Sequence, residues 1–433
     1  MKNKMGVLQL TTITMVNMLG SGIVILPANL AQVGTMSILS WLITASGATC
    51  LAYCFAKAGI YTKNDGGMGG YAKYAYGTSG AFLANFTYAI SLIIANVAVA
   101  ISAVGYFEQL FHFHFHPIVT ALATILTLWL ASIMNFGGAE LTGRISTCTV
   151  WGVILPIVFI SIFGWLWFNS QMFIEAWNPH HLDMYKGVSS SIAITLWAFL
   201  GLESASANMD AVENPRKNVP IAILGGTLGA ALMYIISTNV IQGIVKNTSL
   251  SSSTAPFGLA FSQMFNPVVG DIVMGLMIIA CFGSLLDWQF TIAEVFRSSA
   301  QEGYFPKIFK QVISNGTPKY GIIVITFIQS VLALMTISPS LSKQFTILVD
   351  LAVVTNVVPY LLSLGALKTM QIDAMGKLKN KKVVIMALIG SIYSLYAIFS
   401  AGNDALAYGA LVTFAGCTLY GLIANEFNKS KEN

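Results

Sequence analysis

Charge is what this sequence has least of. Asp, Glu, Lys and Arg make up only 9% of its 433 residues, against about a quarter in ordinary soluble domains. A soluble globule needs more polar surface than such a chain can supply, and no stretch is long and polar enough to form a separate soluble domain. Cysteine is scarce as well. Cys50, Cys54, Cys148, Cys281 and Cys417 all fall in apolar segments, where buried reduced thiols are expected rather than a disulfide scaffold or a metal site. The glycine-rich 66–70 segment reads as a loop but lacks the Lys-Ser/Thr of a phosphate-binding loop, so nothing supports ATP-driven transport. No Cys–His, Ser–His–Asp or metal-ligand spacing lies in the apolar segments, which argues against an integral-membrane enzyme. The net charge of +5 is spread over short loops, which marks membrane topology and not nucleic-acid binding. A cleavable leader is not expected: Lys2 and Lys4 precede an apolar stretch that is followed by many more and reads as the first helix.

Apolar residues are abundant, at 56%. They cluster in runs of about 18 residues or more, each long enough to cross roughly 30 Å of hydrocarbon. The pattern predicts an all-α integral membrane protein with twelve spans, at 8–33, 36–58, 80–106, 118–136, 146–168, 188–209, 219–245, 266–296, 320–338, 344–367, 383–400 and 404–424. An even number puts both termini on one side. With that side cytoplasmic, only Lys186, Lys246 and Lys343 lie outside, and 19 of the 22 basic residues lie inside, as the positive-inside rule requires. One span more or fewer in mid-chain would spoil the asymmetry.

Apart from Lys57 at the very end of the second, no Lys or Arg remains within a predicted span, but Glu203, Asp287 and Asp350 do, with Asp271 and Glu294 nearer the ends. An ionisable group at membrane depth costs a few kcal/mol or more and marks a functional site by default. Acids without fixed basic partners suit a cation that comes and goes, or protonated carboxyls, or each in turn.

Two spans carry a break. Gly20-Ser21-Gly22, followed by Pro27, interrupts the first, and Leu200-Gly201-Leu202-Glu203-Ser204 interrupts the sixth. Paired glycines allow an unwound turn, and exposed backbone at membrane depth is tolerated only around a buried cavity. Breaks at corresponding positions of two five-helix halves point to an inverted-repeat transporter; close helix packing through small residues is the competing explanation. Freed N–H groups at Ser21 and Gly22 would attract a carboxylate, and Glu203 an ammonium. The pair would suit an amino acid, and Glu203 alone a polyamine. Trp197 and Trp288 each lie near an acid, Glu203 and Asp287 respectively, and an indole face attracts ammonium. Tyr88 and Asn96 are eight residues apart on the third helix, roughly two turns and so near one face. Asn96 could serve an ammonium or only a neighbouring helix. His112, His114 and His116 alternate with phenylalanine in the loop after that helix. Such spacing can hold a metal when extended, but a solvated or membrane-surface loop is the expectation.

The motifs Met15–Ile23, Gly66–Ala72, Thr195–Ala205, Glu213–Pro220 and Ser298–Pro306 resemble the basic amino acid/polyamine antiporters of the amino acid–polyamine–organocation superfamily. The resemblance covers nearly the whole chain and follows the bacterial putrescine–ornithine branch, including Trp177–His181 and Ala333–Ser340. It implies two inverted repeats, 8–168 and 188–367, with 383–424 as two accessory helices. It also implies alternating access and exchange of putrescine for ornithine, or proton-coupled putrescine uptake, across the inner membrane of a bacterium. Residue by residue, it implies that Ser21, Gly22 and Ile23 receive the substrate carboxylate or backbone end. Trp197 and Trp288 would be aromatic gates, Glu203 would couple substrate to proton, and Tyr88, Asn96 and Tyr420 would line the pocket. Relatives are often dimeric, which extends to a homodimer here; no cofactor, metal or nucleic acid is implied. The family's pattern has glutamate where this chain has Lys73 and glycine where it has Asp287. The first departure would weaken a diamine's attraction, and the second would offset it. Cadaverine–lysine and agmatine–arginine exchange are near variants, and a channel is the alternative of a different class.

Overall fold

The computed structural model describes residues 6–63, 67–203, 213–335, 337, 340–377 and 380–429. Nearly all of them are helical; the single β-bridge joins Val312 and Pro318. The helices are α1 Val7–Leu19, α2 Leu26–Ala31, α3 Ser37–Tyr61, α4 Gly67–Leu110, α5 Pro117–Asn135, α6 Ala139–Thr149, α7 Trp151–Phe163, α8 Ser170–Glu175, α9 Met184–Ser190 and α10 Ile192–Trp197. Then follow α11 Pro215–Ile244, α12 Asn247–Ser251, α13 Pro256–Met264, α14 Pro267–Gln301, α15 Lys319–Met335, α16 Leu341–Met375, α17 Lys381–Ser400 and α18 Asn403–Lys429.

Among the described residues nine helical stretches are long and apolar enough to cross a membrane: α3, α4, α5, the α6–α7 stretch Ala139–Trp167, α11, α14, α16, α17 and α18. α15 is a shorter apolar helix. The predicted first span is divided into α1 and α2, the fifth passes from α6 to α7 at Val150, and the helix of the sixth stops at the end of α10, Trp197. The fold is that of a multi-span membrane protein, and most predicted spans match helices to within a few residues.

Three expectations need correction. The stretch from Gly67 to Ala72 is not a loop but the start of α4, which kinks at Gly77 (φ 62°, ψ −153°). Its glycines allow a close approach: the Gly69 N–H donates to Asn85 Oδ1 at 2.9 Å, and a Cβ on Gly69 would lie 2.6 Å from that oxygen. Gly66 lies outside the described residues. The cysteines are all free, but Cys148 and Cys417 are exposed rather than buried, because they sit on outward faces of α6 and α18. The fifth segment begins at Ala139, seven residues before its predicted start, because polar Thr142, Ser146 and Thr147 donate to carbonyls of the chain or its neighbours and join the helix.

The largest buried cluster runs through α3, α4, α10, α11 and α16, and α4 packs most extensively on α16 and α14. α4 therefore stands between the two helices that, with the two breaks, supply the site.

Candidate functional site

At the first break α1 ends at Leu19, and Gly20 leaves helical geometry (φ −55°, ψ −136°). Ser21–Ile23 makes one 3-10 turn, and α2 resumes at Leu26 with Pro27 in its first turn, where proline's missing N–H costs nothing. At the second break α10 stops at Trp197. The chain continues as turns to Glu203, with Gly201 at φ 97°, a conformation glycine adopts without strain. Ser204 to Ala205, the end of the predicted motif, lies outside the described residues.

Both breaks free backbone carbonyls at membrane depth, where each unpaired group costs several kcal/mol. Tyrosine hydroxyls serve them. Tyr106, from α4, donates to Val24 O at 2.8 Å. The Tyr234 hydroxyl, from α11, faces both Met18 O and Ala198 O, so one side chain joins the first break to the second. Tyr234 is itself stacked on Trp41, with ring centroids 5.4 Å apart.

Glu203 is only 6% exposed. Its Oε1 accepts from the Tyr88 hydroxyl at 2.8 Å. Its Oε2 accepts from the Tyr360 hydroxyl at 2.6 Å and from the Gly201 N–H at 3.2 Å. Tyr88 comes from α4 and Tyr360 from α16. Hydrogen bonds to an ionised oxygen are roughly twice as strong as neutral ones, so this set holds the carboxylate in place.

Glu203 and Tyr88 line a cavity of about 720 Å³, with Asp287 and Trp288 of α14 on the same wall. The cavity extends to Gly67, Gly143 and Thr147 at one end of the bundle, and no Lys, Arg or His among the described residues lines it. Asp287 is open to the cavity, and no hydrogen bond or ion pair occupies it among the described residues. A smaller cavity of about 40 Å³ adjoins, lined by Gly22, Asn96, Trp197, Ala198 and Trp288 among others. Trp288 belongs to both walls. Two buried polar atoms on the smaller cavity, Trp197 Nε1 and Asn96 Oδ1, have no partner. One is a donor and the other an acceptor.

The structure thus gathers Gly22, Tyr88, Asn96, Trp197, Glu203, Asp287 and Trp288 around two adjoining cavities. Ile23 is fully buried in the core behind Gly22. Ser21 lies in the 3-10 turn, and its side chain is outside what is described. Tyr420 lines neither cavity; it packs on Phe82, with ring centroids 5.6 Å apart, because α18 lies on the outer side of α4. Asp350 is half-buried on α16 and lines neither cavity. Glu294 pairs with Arg297 at 2.7 Å, so it is not an uncompensated acid. Lys73 is exposed on the first turns of α4, away from both cavity walls. In the histidine loop the alternation is used by the rings of Phe111, Phe113 and Phe115, which stack at 6.0 and 5.6 Å.

The sequence reading missed Tyr360. Its signal was available: a tyrosine beside Pro359 in the middle of an apolar span, where a hydroxyl must find a partner.

A bundle of apolar helices, two of them broken around cavities lined by the acids Glu203 and Asp287, defines a membrane transport protein. The chain belongs to the amino acid permease family, whose model matches residues 5–420. It is 60% identical over 430 residues to the putrescine transporter PotE of Haemophilus influenzae, covering 99% of both chains. It is 59% identical over 426 residues to PotE of Escherichia coli, covering 98% of this chain and 97% of that one. The cadaverine/lysine antiporter of Escherichia coli is 31% identical over 411 residues, 93% of this chain and 91% of its own.

Proposed function

We propose that the protein exchanges putrescine for ornithine across a bacterial inner membrane by alternating access, and also takes up putrescine with protons. One observation carries this reading: Glu203 and Asp287, two acids, share a cavity that no basic side chain among the described residues lines. A dication with separated charges fits two carboxylates, and desolvating it is tolerable only when both charges are met. The names of the two PotE relatives support the same substrate.

Putrescine enters the larger cavity with one ammonium toward Asp287 and the other toward Glu203. There it competes with the Tyr88 and Tyr360 hydroxyls for the Glu203 oxygens. Trp288 offers its ring face to the bound cation, and Trp197 closes the smaller cavity beyond. Ornithine carries a carboxylate as well, which the Trp197 N–H and the free amides of the Ser21–Ile23 turn can receive. When no cation occupies the site, Glu203 takes a proton, which couples the two fluxes. Both termini lie in the cytoplasm, so the cavity end at Gly67 and Gly143 opens inward. The two halves 8–168 and 188–367 act as inverted repeats, 383–424 is accessory, and the protein works as a homodimer in the bilayer.

The test is counterflow in proteoliposomes. Radiolabelled putrescine uptake should be stimulated by internal ornithine more than by lysine, arginine, cadaverine or agmatine. Uptake indifferent to any internal substrate indicates a channel and overturns the proposal. Glu203→Gln should cut exchange at least about 100-fold while the protein still inserts, since a buried charge pair lost from one side costs roughly 3–5 kcal/mol.

A further inference from the structure

Behind the smaller cavity lies a chain of buried polar groups that touches neither the cavities nor solvent except at one end. Gln289 follows Trp288 on α14 and is fully buried. Its Nε2 donates to Ser132 Oγ of α5 at 3.1 Å and to Thr326 Oγ1 of α15 at 2.8 Å. Its Oε1 accepts from Asn96 Nδ2 of α4 at 2.7 Å. The other Asn96 N–H reaches Leu285 O at 3.4 Å. Asn96 Oδ1 is left over, buried and without a partner, on a residue that lines the smaller cavity.

An amide can be turned end for end at little steric cost, so the polarity of such a chain must be set by groups that cannot turn. Backbone carbonyls are such groups, being acceptors only. Leu285 O lies on the nitrogen side of Asn96, but at 3.4 Å it holds that side far more weakly than Gln289 Oε1 does at 2.7 Å. At the far end, the Ser132 and Thr326 hydroxyls lie 2.6 Å apart and each also reaches the carbonyl four residues earlier, Leu128 O or Ile322 O. Each hydroxyl has one proton, and these three contacts use both, which leaves the hydroxyl oxygens as acceptors for Gln289 Nε2. Gln289 Oε1 must then face Asn96 Nδ2, and Asn96 Oδ1 must face away from Gln289.

We propose that Gln289 is a positioning residue. By fixing which end of the Asn96 amide faces the smaller cavity, it makes that wall an acceptor, favouring an ammonium over a carboxylate. Gln289 touches no substrate and acts through Asn96. This rests on the putrescine–ornithine reading above, for which it supplies a selectivity device: putrescine presents only donors, and ornithine presents an acceptor as well.

The test uses purified full-length protein in proteoliposomes and compares half-saturating concentrations of putrescine and ornithine. Gln289→Met keeps volume and removes the lock. The Asn96 amide is then free to turn its N–H groups to the cavity. The expected result is about a tenfold rise for putrescine, the size of one hydrogen bond to a charged group, with less than about a threefold change for ornithine. Adding Asn96→Asp to Gln289→Met should restore putrescine, because a carboxylate presents acceptors whichever way it turns. Equal rises for both substrates, or no recovery with Asn96→Asp, would overturn the proposal by reducing Gln289 to packing. Should Gln289→Met not insert, Thr326→Val removes one acceptor of the lock and should shift the same ratio two- to threefold; an unchanged ratio overturns the inference. Wild-type protein that exchanges no putrescine would instead refute the underlying reading.

Discussion

At the scale of single residues, the site is organised by what holds Glu203 when substrate is absent. Two phenol hydroxyls and one backbone N–H share its oxygens. A carboxylate so held is pre-positioned, and each donor is also a competitor that the incoming ammonium must displace. Tyr360→Phe removes the shortest of these contacts. A charged acceptor that loses one donor forfeits about 1.5–3 kcal/mol, so exchange should fall by roughly tenfold or more with the protein still folded, measured as initial putrescine uptake. Uptake at the wild-type rate would show that Tyr88 and Gly201 suffice. Asp287 has no such donors, so it depends on the substrate for a partner. Asp287→Asn should weaken putrescine by a larger factor than it weakens ornithine, seen in competition for labelled putrescine.

At the scale of elements, the informative features are the two breaks and the tyrosines that serve them. Gly201→Ala would put a Cβ on a residue at φ 97°, which costs about 1–2 kcal/mol or more of backbone strain. The strain falls between Trp197 and Glu203, so transport should be lost before membrane insertion is. A thermal-unfolding midpoint in detergent close to that of wild type, with transport strongly reduced, is the expected pair of readings. Tyr234→Phe should do the opposite. It leaves both cavities lined as before but strips the shared donor from Met18 O and Ala198 O, which should lower the unfolding midpoint.

Much of this level was legible in the sequence. Gly20-Ser21-Gly22 and Gly201 betray their breaks because glycine in mid-span has few other uses, and Glu203 stands out because an acid in hydrocarbon needs a reason. What the sequence could not give was pairing across the bundle. Tyr360, Gln289, Ser132 and Thr326 are ordinary polar punctuation in apolar spans, and only the packing of α4 on α16 and α14 turns them into partners. Tyr420 misled for the same reason, since its helix lies outside that packing. The glycine run after Gly66 read as a loop because glycine more often bends chains than lets helices approach.

At the scale of the whole molecule, the cavity that reaches Glu203 extends to Gly143 and Thr147 of α6. Thr147→Cys in a background without the native cysteines should react with a membrane-impermeant thiol reagent from the cytoplasmic face. Putrescine should slow that reaction if the substrate occupies or closes the cavity. Lys73 belongs to this scale too. It lies outside the cavity walls and can act only through the field at the opening, so Lys73→Glu should improve putrescine affinity modestly and lose the effect in high salt.

A hollow of about 720 Å³ lined by Glu203 and Asp287 has room, at roughly 30 Å³ per molecule, for on the order of twenty waters. In the proposed cycle, closing that hollow to present the site on the other face would drive most of them out, whereas a bound diamine would replace only a few. The conformational cycle is therefore a volume change as well as a charge movement. An osmolyte too large to enter should bias the carrier toward its closed form, and hydrostatic pressure toward the flooded one.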